Sequence, residues 1–181
     1  LNFANKKNSR LKFISADLND YSSLIKALEY SKPSFVYHLA AQSFPLSSFE
    51  EANVTFNTNF IGTYNLLNAI KLLKLNPLIH VCSSSEVFGK VKKEHLPIDE
   101  NCNYHPASPY AISKVGTDLV GKYFYEAFGL KVLITRMFTH TGPRRGDVFA
   151  ESSFAKQIAL IEEKKIKPYV KVGNLNSLRT F

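Results

Sequence analysis

Two segments of almost uninterrupted apolar residues constrain the fold of this chain more than any other feature of its sequence. They span residues 34–40 (SFVYHLA) and 78–83 (LIHVCS), and neither alternates polar with apolar side chains. Strands of that composition are typical of parallel sheets, which are covered on both faces. A helical pattern lies between the two segments. The sequence therefore predicts an α/β protein in which helices connect parallel strands.

The same alternation of strand and helix patterns extends along most of the chain. A strand is expected at 11–14, and Asp20 is expected to cap a helix over 21–31 that Pro33 ends. The remaining patterns predict helices at 56–73, 110–128 and 151–163 and strands at 131–136 and 169–172. Right-handed crossovers place the carboxyl ends of parallel strands at one edge of the sheet. The expected fold is a doubly wound, Rossmann-like parallel sheet.

Length, composition and charge exclude several classes of protein. A chain of 181 residues that is 45% hydrophobic can fold without disulfides or a structural metal. Its longest apolar stretches are shorter than the roughly 18 residues that a membrane span needs. The net charge of +8 is spread over separate clusters, and no nucleic-acid-binding motif accompanies them. We therefore expect no membrane span, no secretory signal and no nucleic-acid partner.

Cysteine and histidine residues form no metal-binding pattern in the sequence. Cys82 and Cys102 are not part of a C-x-x-C motif, and the five histidines are scattered along the chain. Two of these histidines, His38 and His80, lie on predicted strands, where a histidine is usually a hydrogen-bonded core residue. The pattern favours a reducing, cytoplasmic compartment and predicts no metal site.

Tyr110 and Lys114 form a Y-x-x-x-K pair on one face of a predicted helix. A chain with this much tyrosine and lysine contains about one such spacing by chance, so the pair alone is weak evidence. Pro109 places Tyr110 in the first helical turn, at the positive end of the helix dipole. That position and the neighbouring lysine charge are expected to lower the pKa of the phenol. Tyr110 is therefore a candidate base.

Five short motifs occur in order along the chain. They are residues 38–43 (HLAAQS), Asn59 with Gly62-Thr63, residues 83–89 (SSSEVFG), residues 108–110 (SPY) with Lys114, and residues 142–146 (GPRRG). Together they resemble the extended short-chain dehydrogenase/reductase family of nucleotide-sugar enzymes. Within it they are most similar to the GDP-mannose 4,6-dehydratases and to the reductases of the 4-keto product.

The resemblance also implies how the chain is divided. Relative to the family, the sequence lacks the first strand, the glycine-rich phosphate-binding turn and the C-terminal part of the substrate domain. Residues 1–138 are expected to be a dinucleotide-binding domain without its N-terminal unit. Residues 139–181 are expected to begin the substrate-binding region. The family resemblance further implies a homo-oligomer.

Site residues follow from the resemblance, motif by motif. It implies Tyr110 as the catalytic base, Lys114 as its electrostatic support, Ser84 as the hydrogen-bond partner of the reacting 4-oxygen, and Glu86 as a base at C5. It implies that NAD or NADP is bound by Asp17, Leu18, Leu39, Ala40, Ala41, Gln42, Lys114, His140 and Arg145. It implies substrate contacts at Ser85, Thr139, Asn174 and Arg179.

The function that the resemblance implies is that of a nucleotide-sugar 4,6-dehydratase, with GDP-mannose as the expected substrate. Such an enzyme oxidises C4 transiently, removes water across C5–C6 and returns the hydride. The alternative is an NAD(P)H-dependent reductase of GDP-4-keto-6-deoxymannose, because Glu86 and the segment 149–158 also resemble the reductase. A third hypothesis, a catalytically silent binding module, would require loss of the site residues, which are all present.

Overall fold

A computed structural model describes residues 11–176 of the chain and divides them into two compact units. The first unit ends at Arg136 and the second begins at Met137. The first unit contains a parallel three-stranded sheet whose spatial order is the same as the chain order. Its strands are β1 (Phe35–His38), β2 (Leu78–Cys82) and β3 (Lys131–Thr135).

Residues 11–176 contain six α-helices, five in the first unit and one in the second. A π-helical turn, Asn57–Ile61, connects the third helix to the fourth, and short 3₁₀ turns occur at Ser85–Phe88 and Lys93–His95. The helices are α1 (Tyr21–Ser31), α2 (Ser47–Glu50), α3 (Ala52–Phe56), α4 (Gly62–Leu72), α5 (Pro109–Phe128) and α6 (Ala150–Glu162). No helix within residues 11–176 is long and apolar enough to cross a membrane.

Local side-chain chemistry fixes the ends of α1 and α5. The Asp20 carboxylate accepts the backbone N–H groups of Ser22 and Ser23, which have no partner inside α1. Ser108 caps α5 in the same way, and Pro109 occupies its first position, where a missing N–H costs nothing. Gly129 ends α5 in the left-handed conformation. Both helices therefore have the extents that the sequence predicts, within one residue.

The core of the first unit lies between the sheet and the helices α1, α4 and α5. Alternate strand residues such as Ile79 and Val81 are fully buried against these helices. Residues on the opposite sheet face, among them Phe35, Tyr37 and Leu133, are exposed in the described part of the chain. The core consists of Leu24, Leu28, Leu66, Leu67, Ala69, Ile70, Ile79, Val81, Val120, Phe124 and Leu130.

Three predictions about individual elements are wrong. Residues 11–14 and 169–172 form no strand, and among residues 11–176 no other strand supplies these segments with backbone hydrogen bonds. The helix expected at 56–73 has helical residues from Ala52 onward, and the π-helical turn interrupts its regular spacing. The strands expected at 34–40 and 78–83 are confirmed.

Gly62 leads to a prediction about stability. A Cβ atom added to Gly62 would lie 2.7 Å from Leu18 Cβ, closer than two carbon atoms can approach without a shift. We expect Gly62→Ala to destabilise the protein by about 1–2 kcal/mol, because the clash outweighs the better helix propensity of alanine. Thermal unfolding measures the change. Gly142→Ala is the control, since nothing lies within 4 Å of its added Cβ, and equal melting temperatures for the two variants would contradict the prediction.

Candidate active site

Polar side chains that follow β2 meet side chains of α5 at the carboxyl edge of the sheet. β2 ends at Cys82, and Ser83 and Ser84 follow it as buried residues. The first two turns of α5 bring Tyr110 and Lys114 beside them, because the two positions lie on one face of the helix. The structure therefore brings together Ser84, Tyr110 and Lys114, which the sequence analysis selected as catalytic residues.

The phenol of Tyr110 is hydrogen-bonded to Ser84. Burial raises the pKa of Tyr110, the Ser84 hydrogen bond lowers it, and the charges at Cys82 and Glu86 raise it further. The expectation that helix position and Lys114 lower this pKa is wrong for the described structure, because loss of hydration outweighs the favourable contacts. Within this structure Ser84 is the side chain that makes the phenol more acidic.

Lys114 lies almost fully buried beneath the same edge. Its ammonium group donates to the Cys82 carbonyl oxygen at 2.8 Å and lies 5.9 Å from the centre of the Tyr110 ring. Burial lowers the pKa of Lys114, while the charges at Cys82 and Asp118 raise it. An ammonium has three N–H donors. The bond to Cys82 thus fixes the side chain and leaves it donors for a ligand at the strand edge.

Glu86 and Ser85 lie in the 3₁₀ turn that follows Ser84. The backbone N–H of Glu86 donates to Ser84 Oγ at 3.2 Å, which caps this turn. The Glu86 side chain is exposed, and its charge reaches Tyr110, whose pKa it raises. Ser85 is partly buried. The turn therefore presents an accessible carboxylate close to the buried phenol.

Asn59, in the π-helical turn, connects the segment after β1 to α5. Its amide oxygen accepts the Gln42 N–H at 2.8 Å, and its amide nitrogen donates to the Gln42 carbonyl at 3.0 Å and to Ser113 Oγ at 2.9 Å. Ser113 Oγ in turn donates to the Tyr110 carbonyl oxygen at 2.7 Å. Asn59 is recognisable in the sequence only as part of a motif, because residue spacing gives no sign of its contact with Ser113, 54 positions away.

His38, at the end of β1, is a buried and neutral residue. Its Nε2 lies 2.9 Å from Thr63 Oγ1, and the Thr63 hydroxyl donates its proton to the Asn59 carbonyl oxygen. Nε2 therefore carries the proton of the imidazole and donates to Thr63. Burial, together with the charge of Lys114, lowers the pKa of His38 to about 4. His38 is thus a hydrogen-bonded core residue, as the sequence interpretation held.

Behind Lys114, a buried ion pair joins α5 to the end of the first unit. Arg136 Nε lies 2.6 Å from Asp118 Oδ2, and the Tyr104 hydroxyl donates to the same oxygen at 3.0 Å. Arg136 also donates to the Glu100 carbonyl oxygen at 2.8 Å. This group was not predicted from the sequence, although Asp118 follows Lys114 by one helical turn and that spacing is a visible signal.

Asp17 and Leu18, two of the residues expected to bind NAD or NADP, lie before α1. Asp17 is exposed, and its carboxylate accepts the N–H of Asn19 at 2.8 Å. Leu18 is partly buried against the core, and its carbonyl oxygen accepts from the Asn65 side chain at 2.8 Å. The loop is therefore fixed by its own turn and by α4, with the Asp17 side chain open to solvent.

The segment after β1 has the features that a bulky ligand requires. Leu39 and Ala40 are exposed at the strand end, and Ala41 is partly buried. The buried amide oxygen of Gln42 has no hydrogen-bond partner within the described residues, which is unusual for a buried acceptor. An alanine pair at the strand end and an unsatisfied amide acceptor fit the polar, ring-bearing end of a nicotinamide dinucleotide.

Four further candidates belong to the second unit. Among residues 11–176, the hydrogen-bond partner of the His140 ring is the Phe138 carbonyl oxygen, which lies 2.9 Å from Nδ1. Because a carbonyl oxygen can only accept, Nδ1 carries the proton. Arg145 lies 2.6 Å from a Glu151 carboxylate oxygen and stacks over Phe149. The others are Thr139, which is partly buried, and Asn174, which is exposed and accepts the N–H of Asn176. Arg179 lies outside the described residues.

The part of the chain that the structure describes contains no group of three or more histidine, cysteine, aspartate or glutamate side chains placed to hold a metal ion. The side chains at the strand edge supply a phenol, a hydroxyl, an ammonium and a carboxylate. Such a set can move a proton at an oxygen and at a neighbouring carbon.

Similarity to known proteins identifies both the class and the family of this chain. The parallel sheet, with a tyrosine and a lysine one turn apart on the helix beside it, defines a short-chain dehydrogenase/reductase of the epimerase/dehydratase type. Within that class the chain belongs to the GDP-mannose 4,6 dehydratase family, whose sequence model matches residues 2–181.

Similar curated proteins carry two different names. A "GDP-mannose 4,6 dehydratase" from Drosophila melanogaster is 33% identical over 175 residues, which are 96% of this chain and 44% of the relative. A "GDP-6-deoxy-D-mannose reductase" from Pseudomonas aeruginosa is 34% identical over 149 residues, which are 82% of this chain and 49% of the relative. The chain thus spans about half the length of the curated relatives that it matches.

Solved structures share the fold. The Pseudomonas aeruginosa protein RMD, complexed with NADPH, has a TM-score of 0.80 and 34% identity, and the match covers 84% of this chain and 52% of that one. A dTDP-glucose 4,6-dehydratase, DesIV from Streptomyces venezuelae, with NAD and TYD bound, has a TM-score of 0.79 and 29% identity, covering 87% and 47% of the two chains.

Proposed function

We propose that the complete protein carrying this sequence is an NAD(P)-dependent GDP-mannose 4,6-dehydratase. The observation that carries the proposal is the cluster of Tyr110, Ser84 and Glu86 at one strand edge, with the phenol hydrogen-bonded to Ser84 and the carboxylate exposed beside it. Family membership and the dehydratases among the relatives support it. The substrate is then a nucleotide sugar whose C4 hydroxyl lies at Tyr110.

In this proposal, Tyr110 exchanges a proton with the 4-oxygen of the sugar. Ser84 is hydrogen-bonded to the phenol, so its hydroxyl can also contact the 4-oxygen and hold it in line. Lys114, fixed by the Cys82 carbonyl, keeps a positive charge 5.9 Å from the phenol ring. The proposal gives that charge a role only when a bound ligand closes the site, because burial dominates the pKa of Tyr110 in the free protein. A nicotinamide, when bound, supplies the acceptor and later the donor of the hydride.

Glu86 has a separate role in the same proposal. Once C4 is a ketone, the proton on C5 is acidic enough for a carboxylate to remove. Glu86 lies two residues after Ser84 and its charge acts on Tyr110, so we assign its exposed carboxylate to the carbon next to C4. The protonated Glu86 can then pass a proton to the C6 hydroxyl, which leaves as water when the C6–O bond breaks and the C5–C6 double bond forms. Hydride return to C6 is followed by uptake of a solvent-derived proton at C5.

The NAD or NADP contacts proposed in the first unit are the Ala40-Ala41-Gln42 segment, Lys114 and the loop at Asp17 and Leu18, and Ser85 is a proposed sugar-nucleotide contact. In the second unit, His140 and Arg145 are proposed as dinucleotide contacts. Thr139, Asn174 and Arg179 are proposed as sugar-nucleotide contacts. We place the dinucleotide-binding domain at residues 1–138 and the start of the substrate-binding region at 139–181.

One alternative has support of its own. The 34% identity to a GDP-6-deoxy-D-mannose reductase equals or exceeds that to the dehydratases. A reductase would use the same tyrosine as a proton donor to the 4-oxygen and would consume NAD(P)H. Glu86 would then have no proton to remove.

Product analysis by mass spectrometry separates the two activities. The complete polypeptide is incubated with GDP-mannose, catalytic NAD(P)⁺ and no reductant. A dehydratase is expected to convert the substrate to a product lighter by one water, without net reduction of the dinucleotide. Unchanged GDP-mannose, together with NAD(P)H oxidation when the 4-keto-6-deoxy sugar is supplied, would establish the reductase instead.

A further inference from the structure

The backbone of Tyr110 is held by a serine from a distant part of the chain. The N–H of Tyr110 donates to Ser48 Oγ at 3.0 Å, and the Ser48 hydroxyl donates to the Pro45 carbonyl oxygen at 2.6 Å. Ser48 lies on the short helix α2 and is fully buried. It is 62 positions away from Tyr110 in the sequence.

The Tyr110 N–H needs such a partner. It is one of the first N–H groups of α5, which have no acceptor within the helix. Ser108 caps the following N–H, that of Ala111, at 3.0 Å, and Pro109 has no N–H to satisfy. Ser48 therefore completes the cap at the residue that carries the phenol.

The other backbone group of Tyr110 is tied to the same segment. Its carbonyl oxygen accepts from Ser113, which Asn59 links to the backbone of Gln42. The segment from Gln42 to Ser48 thus holds the first turn of α5 through both backbone groups of Tyr110. Ser48 binds the N–H directly, and Gln42 is linked to the carbonyl through Asn59 and Ser113. Buried hydrogen bonds at both backbone groups leave the Tyr110 ring little freedom to move away from Ser84.

We propose that Ser48 is a positioning residue for Tyr110: its hydroxyl fixes the first turn of α5 so that the phenol stays hydrogen-bonded to Ser84. This inference rests on the proposed role of Tyr110 as the group that moves the proton. Loss of the Ser48 hydroxyl frees the Tyr110 N–H and loosens the phenol. A misplacement of about 1 Å at a reacting group can lower a rate roughly 10²-fold.

The first test compares kinetics of the complete enzyme. Ser48→Ala is expected to lower kcat by about 10- to 100-fold with KM changed less than about 3-fold, because positioning acts on the reaction step. Ser48→Thr, which keeps the hydroxyl, is expected to recover most of kcat. Thr55→Val is the matched control. Thr55 is equally buried and bonds a backbone carbonyl within its own helix turn, so its loss should leave kcat near wild type.

The second test observes the phenol without turnover. With Tyr labelled at ¹³Cζ, the Tyr110 resonance is assigned by its loss in Tyr110→Phe and followed through a pH titration. Because the Ser84 bond lowers the pKa of Tyr110, Ser48→Ala should move the titration to higher pH, whereas Thr55→Val should not. Unchanged titration and kcat in Ser48→Ala, with only a lower melting temperature, would overturn the proposal. Wild-type enzyme inactive on GDP-mannose would overturn the proposed function, and the titration would still decide the role of Ser48.

Discussion

Tyr110→Phe is expected to lower the turnover of GDP-mannose by about 10²–10⁴-fold, the range typical of a lost proton-transfer group. The substitution removes the phenol oxygen and its bond to Ser84, while the ring keeps its buried site. Stability should change little, because the backbone bonds of Tyr110 to Ser48 and Ser113 do not involve the ring. Steady-state kinetics and a thermal melt on the same preparation measure the two effects.

Tyr123→Phe is the control for this experiment. Tyr123 lies on the same helix but is half exposed and packs on aromatic neighbours. Its variant should retain wild-type kcat. A Tyr110→Phe enzyme that kept more than about a tenth of the wild-type kcat would show that another group moves the proton at the 4-oxygen.

Replacement of Glu86 by glutamine is expected to lower dehydration by about 10²–10⁴-fold, because glutamine keeps the shape of the side chain and cannot accept the C5 proton. Oxidation at C4 should persist, since it depends on Tyr110 and Ser84. In D₂O, the wild-type product should carry deuterium at C5, and the variant should incorporate almost none. Nuclear magnetic resonance of the product measures this directly.

Glu94→Gln is the matched control, because Glu94 is also an exposed glutamate after β2, in the 3₁₀ turn that follows. Its variant should behave as wild type in both measurements. The opposite outcome is equally informative. If Glu86→Gln reduced the 4-keto-6-deoxy sugar at the wild-type rate, and wild type did not consume GDP-mannose, the reductase would be the correct assignment.

Local signals in the sequence predict the elements whose ends are set by neighbouring residues. Asp20 and Ser108 cap their helices through hydroxyl or carboxylate groups two or three positions away, so both helices are predictable from a short window. The strand expected at 11–14 is different, because a strand also needs a neighbour to bond. Apolar composition predicts burial without supplying that neighbour.

Local sequence patterns likewise reveal some residues of the candidate site and miss others. Tyr110 and Lys114 are recognisable from a four-residue spacing, and Ser84 and Glu86 from the motif that contains them. Ser48 and Asn59 act through contacts between distant segments, which no local pattern encodes. The direction of the Tyr110 pKa also depends on the packing around the ring. A sequence reveals the presence of a lysine charge but not the loss of water that opposes it.

The π-helical turn at Asn57–Ile61 accommodates one extra residue between two helical segments. The Gly62 N–H bonds the Asn57 carbonyl five residues earlier, so the turn holds one residue more than an α-helical turn. Deleting one residue there would restore the regular ladder and leave Ala52–Phe56 nearly in phase with α4, because about five residues of a π-turn rotate as far as about four of an α-helix. The wide turn that carries Asn59 would be lost, and with it the amide bridge from Gln42 to Ser113. The extra residue therefore serves the site and not the packing of the two flanking segments.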